Sequence, residues 1–87
     1  MSVLRVCAVF DSALGAYGQP IFTPSAGVAV RSFSDEVNRG APDNQLNQHP
    51  EDFALFELAV FDSDSGRFVA EGDPRCLARG KDVVRGA

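Results

Sequence analysis

Eighty-seven residues, 45% hydrophobic and 23% charged, make one globular domain near the lower size limit for folding alone. The net charge of −4 is uneven, with nine acids and four bases in residues 1–70 against three acids and four bases in residues 71–87. This excludes wholesale coating of a phosphate backbone and leaves room only for a local nucleic-acid contact.

Val3 to Phe10 is the first predicted strand. Leu4, Val6, Ala8 and Phe10 alternate on one face, while Arg5 interrupts Val3, Cys7 and Val9 on the other. Residues 12–19 hold two glycines among small and polar neighbours and read as a loop carrying Tyr17, followed by a short edge strand at Pro20-Ile21-Phe22. Thr23-Pro24 signals a helix start, with the Thr23 hydroxyl as N-cap. Ala26, Ala29, Val30, Phe33 and Val37 then repeat with the spacing of one helical face, and Asn38-Arg39-Gly40 supplies a stop through a glycine at positive φ. The helix is placed at residues 24–39.

Residues 40–52 are polar, contain two prolines and read as a loop into the strongest strand, Phe53 to Phe61. Regular alternation puts Phe53, Leu55, Glu57, Ala59 and Phe61 on one side of that strand and Ala54, Phe56, Leu58 and Val60 on the other. Both sides are apolar, which expects an inner strand or a face covered by a partner. Asp62-Ser63-Asp64-Ser65-Gly66 is a tight turn, and Arg67-Phe68-Val69-Ala70 returns as a short antiparallel strand. No internal repeat is visible.

The expected fold is therefore α+β: a small antiparallel or mixed sheet of three to four strands with one helix packed on one face. Residues 1–70 form the domain, residues 71–87 a partly mobile C-terminal tail, and the open sheet face makes a homodimer. No segment approaches the ~18 apolar residues that span a bilayer, and the N-terminus has no signal-like charged region followed by an apolar run. Cys7 and Cys76 have neither the Cys-x-x-Cys nor the zinc-knuckle spacing, so an intracellular, soluble chain with two free thiols is expected.

No motif supports catalysis. His49, Glu51 and Asp52 offer three metal-ligating groups in one Pro-containing loop, but that spacing fixes no coordination geometry, and the expectation is a structural turn without metal. Asp62-x-Asp64-x-Gly66 lacks the distal ligands of a calcium loop. One histidine without a Gly-x-Ser-x-Gly elbow gives no hydrolase triad, and Lys81 follows Gly80 without a phosphate loop. Glu57 is expected at a strand edge, facing water or pairing with Arg5 or Arg67. Tyr17, Phe22, Arg31 and Arg39 are the candidate nucleic-acid-binding residues, because single-strand binders combine aromatic platforms with cations. The competing reading puts Phe22 in the core and the two arginines on a solvated helix face.

Several blocks carry a family resemblance. They are Phe10-Asp11-Ser12; Ala16-Tyr17 with Pro20 and Phe22; Pro24, Gly27, Ala29, Arg31 and Phe33; Val37-Asn38; His49-Pro50-Glu51-Asp52-Phe53 with Leu55-Phe56-Glu57-Leu58; and Phe61-Asp62 with Gly66 and Phe68. Over residues 4–70 the chain resembles the small nonstructural protein of Microviridae, tailless bacteriophages with single-stranded DNA genomes, especially the gokushovirus-like members. The resemblance implies a nonstructural accessory protein in the host bacterial cytoplasm, acting in genome replication. It would bind DNA and promote the switch from duplex replication to single-stranded genome synthesis. Implied partners are single-stranded DNA and the phage replication initiator complex, with no membrane, cofactor or catalytic residue. The alternative is a protein-interaction module, for a host or assembly factor, without direct DNA binding.

Overall fold

The computed structural model describes residues 2–70 and 72–86. Along the chain run β1 (Val3–Asp11), β2 (Ala16–Tyr17), β3 (Ile21–Thr23), α1 (Ala26–Asn38), α2 (Gln45–Gln48), a 3-10 turn (Pro50–Asp52), β4 (Phe53–Asp62), β5 (Arg67–Val69), β6 (Arg75–Arg79) and α3 (Gly80–Val83). The α+β class holds, with a six-stranded antiparallel sheet in place of the expected three to four strands. β1 and β4 pair along their whole length, from Val3 opposite Asp62 to Asp11 opposite Phe53. Each outer row is broken in two. β2 and β3 share the free edge of β1, and β5 and β6 share that of β4. Gly18 and Pro20 fall in the first break, Gly72 and Pro74 in the second, residues that weaken a ladder or donate nothing to it.

The pairing of β1 with β4 slips between Val6 and Cys7, whose partners are Ala59 and Glu57, leaving Leu58 as the extra residue of a bulge. The bulge reverses the alternation expected for the second half of β4. Phe53, Leu55 and Glu57 share a face with Val60 and Asp62, whereas Ala59 and Phe61 join Ala54 and Phe56 on the other.

Helix α1 covers the face that carries Cys7 and Leu55. Ala29, Phe33 and Val37 form the buried stripe read from the sequence, and Cys7, Leu55 and these three make the core, flanked by Val9, Phe53, Leu77 and Val83. Ser25 caps α1 by accepting from the Val28 N–H at 3.2 Å. Thr23, expected in that role, ends β3 instead, and its buried hydroxyl donates to the Ser25 carbonyl.

The helix stops where expected, but not through Gly40. Side-chain amides hold its last turn: Asn44 Nδ2 donates to the Glu36 and Arg39 carbonyls, Asn47 Nδ2 to that of Val37, and Asn38 Nδ2 to that of Ser34. Asn44 Oδ1 also accepts from the Leu46 N–H and so caps α2, a helix inside the segment read as a loop. Residues 75–83, assigned to the tail, supply β6 and α3. Asn38 fastens them, donating to the Val83 carbonyl and accepting from the Arg85 N–H.

Candidate functional site

The face of the sheet opposite α1 carries six aromatic rings in two groups. Tyr17 stands opposite Phe10, and Phe56 completes the first group, with centroids 4.9 Å apart for Phe10 and Tyr17, 6.2 Å for Phe10 and Phe56, and 5.6 Å for Tyr17 and Phe56. In the second group Phe68 stands opposite Phe61 at 4.9 Å, and Phe22 lies 5.5 Å from Phe61 and 6.1 Å from Phe68. Three rings are strongly exposed: Tyr17 at 42%, Phe22 at 52% and Phe68 at 60%. Between the groups lie Val6 and Ala8, both buried, with Ala59. This is a large apolar surface for so small a chain, of the kind that marks an interaction site.

The two groups grow from a repeat that was not recognised in the sequence. Phe10-Asp11-Ser12-Ala13-Leu14-Gly15-Ala16-Tyr17 and Phe61-Asp62-Ser63-Asp64-Ser65-Gly66-Arg67-Phe68 share the pattern Phe-Asp-Ser-x-x-Gly-x-aromatic. Each aspartate accepts from the N–H two residues on, at 2.9 Å in both turns. Each glycine takes positive φ, 70° at Gly15 and 74° at Gly66, and donates to the carbonyl of its aspartate. Each serine donates through both N–H and Oγ to one carbonyl just ahead of the opposite central strand: Ser12 to Asp52 before β4, Ser63 to Ser2 before β1.

The structure separates the four candidate residues. Tyr17 belongs to the first aromatic group and Phe22 to the second, whereas Arg31 stands on α1 and Arg39 at its C-cap, across the sheet. Arg39 is paired with Glu36 at 2.7 Å. That hydrogen-bonded pair holds the Glu36 carboxyl below, and the guanidinium above, its ordinary value. Other cations are committed too. Arg5 and Arg75 each lie 3.3 Å from the largely buried Glu57, and Arg85 lies 2.7 Å from Asp35. Among the described residues, Arg31, Arg67, Arg79 and Lys81 have no carboxylate within ion-pair distance. Two of these accompany the first aromatic group. Arg79 and Lys81 line a cleft of about 430 Å³ with Phe10 and Phe56, which Glu51 and Asp52 also border, whereas Arg67 stands opposite Asp62 on the other side of the sheet from Phe68. Phe10, Phe56, Phe61, Phe68, Arg79 and Lys81 were missed in the sequence, where the repeated hairpin pattern was the available signal.

Glu57 pairs with Arg5 as expected, but with Arg75 in place of Arg67, because β6 rather than β5 runs beside it. Opposite Glu57 lies Cys7, whose thiol is pushed above its ordinary value, first by burial and then by the Glu57 charge. Cys7 and the exposed Cys76 are both free thiols. His49, Glu51 and Asp52 place potential ligand atoms within 4.8 Å of one another, with His49 and Glu51 exposed. The clearer job of this turn is architectural. Its Asp52 carbonyl receives Ser12, and its Pro50 backbone packs on Gly80 at the start of α3. Among the described residues no helix is long and apolar enough to cross a membrane.

No curated protein and no solved structure matches the chain. A family model does, the Phage ORF5 protein, over residues 4–83, a span that takes in β6 and α3 as well as the blocks recognised in the sequence. Matched over nearly its whole length, the chain belongs to the phage ORF5 protein family.

Proposed function

We propose that this phage protein is a nonenzymatic, nonstructural accessory factor of the Microviridae type that binds single-stranded DNA through its helix-free aromatic face. It acts in the host bacterial cytoplasm during genome replication, beside the replication initiator complex, and favours the switch from duplex replication to single-stranded genome synthesis. One observation carries the binding step: two exposed aromatic groups share a sheet face, with uncommitted cations beside the first of them. Bases stack on such rings regardless of sequence, and a few cations suffice to hold a backbone locally, which suits a chain of net charge −4.

Gel-shift titration with single-stranded and duplex DNA tests this at low and physiological salt. The expected result is salt-dependent binding that favours the single strand. Binding to neither form, together with co-purification with the initiator, removes the DNA contact.

A second reading is a protein-interaction module whose aromatic face is covered by another copy. Its support is the surface area: 5605 Å² is exposed, against about 5000 Å² for an ordinary monomer of this mass. Light scattering with and without single-stranded DNA separates the two, since a dimer closed through this face should be insensitive to DNA.

A further inference from the structure

Two halves of this sheet perform the same construction in opposite directions. β1 and β4 are antiparallel, each leads into a Phe-Asp-Ser-x-x-Gly-x-aromatic hairpin, and each hairpin's serine grips the carbonyl preceding the other central strand. These relations define a pseudo-twofold axis through the sheet that exchanges Phe10 with Phe61 and Tyr17 with Phe68. Phe61 stands opposite Leu4, so Phe10 and Phe61 sit six residues apart along β1, about 20 Å at ~3.3 Å per residue, with Phe56 opposite Ala8 and Phe22 opposite Val6 on the inner sides of the two groups. The intervening Ala8 and Ala59 have small side chains and form a low saddle between raised rings.

We propose that the two aromatic groups, built on the equivalent pairs Phe10 with Tyr17 and Phe61 with Phe68, are base-stacking platforms that grip one single-stranded segment at two points, with its backbone crossing the saddle. The proposal rests on the single-strand-binding reading above and adds two properties to it. The first is a length threshold. A strand must reach from one platform to the other, which requires at least about four nucleotides, the lower end of single-strand site sizes. Shorter strands occupy one platform at a time and lose the gain of tethering. The second is indifference to strand direction, because the pseudo-axis that exchanges the platforms also reverses the path between them. Arg79 and Lys81 beside the first platform supply phosphate contacts.

The test uses the full chain with oligothymidylates of two and twelve nucleotides, and the variants Tyr17→Ala and Phe68→Ala. Both side chains are well exposed, and circular dichroism checks that each variant folds. Each substitution should weaken binding of the twelve-mer about tenfold, the worth of one stacked base, while the dinucleotide loses no more than about twofold. A 2-aminopurine placed at the 5′ or the 3′ end of a six-mer should be quenched equally.

Loss on only one substitution, or quenching at only one end, overturns the two-platform arrangement and leaves DNA binding standing. Equal affinity for a duplex overturns it too, since paired bases cannot stack on rings. No binding at any length, with a dimer seen by light scattering, overturns the DNA reading itself and assigns the face to a second copy.

Discussion

Gly80→Ala is expected to be the most informative single-atom test of how the C-terminal segment joins the domain. Gly80 is buried at the first position of α3, and a β-carbon there would lie 2.1 Å from the Pro50 carbonyl oxygen, 3.0 Å from the Pro50 carbonyl carbon and 3.1 Å from the Phe53 oxygen. All three neighbours are backbone, so no side-chain rotation relieves the contact. To bring the closest one to van der Waals distance, α3 must withdraw by about 1 Å from the 3-10 turn, losing dispersion contacts at the seam. Overpacking of this kind costs about 1–3 kcal/mol, and the better helix propensity of alanine returns at most ~1 kcal/mol in a four-residue helix. With no room for side-chain relief, the net loss should fall near 2 kcal/mol, or about 8–16 °C in Tm for a domain this small. Gly40→Ala is the control, since its β-carbon meets nothing within 4 Å. It should be neutral or stabilise by up to ~1 kcal/mol. Urea titrations followed by circular dichroism measure both. A Gly80→Ala protein within about 0.5 kcal/mol of the parent would refute the close packing of α3 on the turn.

Asn44→Ala strips two carbonyls of α1 and the cap of α2 at once, and should cost about 2–3 kcal/mol by urea titration, against about 1 kcal/mol for Asn47→Ala, which frees one carbonyl. Equal losses would show that Asn44 is not the hub of this cap. Leu55→Ala should cost about 3–4 kcal/mol and Phe56→Ala less, near 2 kcal/mol, because Leu55 is buried under α1 whereas Phe56 sits half-covered on the opposite face. The reverse order, in the same titration, would place the core on the wrong side of the sheet. A thiol reagent should modify Cys76 rapidly and Cys7 only on unfolding. Because burial raises the Cys7 pKa, the unfolded chain releases that proton first. Its stabilisation is therefore complete below the ordinary thiol value and is lost as pH rises toward the folded one. Cys7→Ala should flatten the decline in stability as pH rises above the ordinary thiol value, about 8.5, and an unchanged slope would assign it to other groups.

The parts of the fold that could be read in the sequence are those where an apolar period has one phase. Ala29, Phe33 and Val37 fall on one helical face and on no other, and they are the residues α1 buries. Strands β1 and β4 are equally clear as elements, yet the faces of β4 are not. Leu58, Ala59, Val60 and Phe61 are all apolar, so alternation continues in either phase and a bulge leaves no mark. Helix α2 escaped because Asn44 and its neighbours hold it by amide hydrogen bonds, not by an apolar stripe. β6 has the composition of a tail, with an arginine at each end, and becomes a strand through its ladder to β4. Of the candidate site, Tyr17 and Phe22 were legible as aromatic residues outside the strongest elements. Their grouping was not, since it depends on cross-strand register. The Glu36 and Arg39 pair lay within reach of helical spacing, which already committed that arginine elsewhere.

The bulge also explains why a face can be built from two separate aromatic groups at all. β1 delivers Phe10 to the helix-free side, and β4 delivers Phe56 there by ordinary alternation from Leu55. Five residues on, an unbroken strand would carry Phe61 to the other side, under α1, and leave Phe22 and Phe68 without their shared partner. Inserting Leu58 restores the phase. Glu57 stays opposite Cys7, where Arg5 and Arg75 neutralise it, while Phe61 turns to meet Phe22 and Phe68. The extra residue thus lets one strand give Leu55 to the core and both Phe56 and Phe61 to the aromatic face. It is also what brings the second Phe-Asp-Ser hairpin onto the same face as the first. Whatever occupies the aromatic surface, its two-ended form depends on that single residue in the middle of β4.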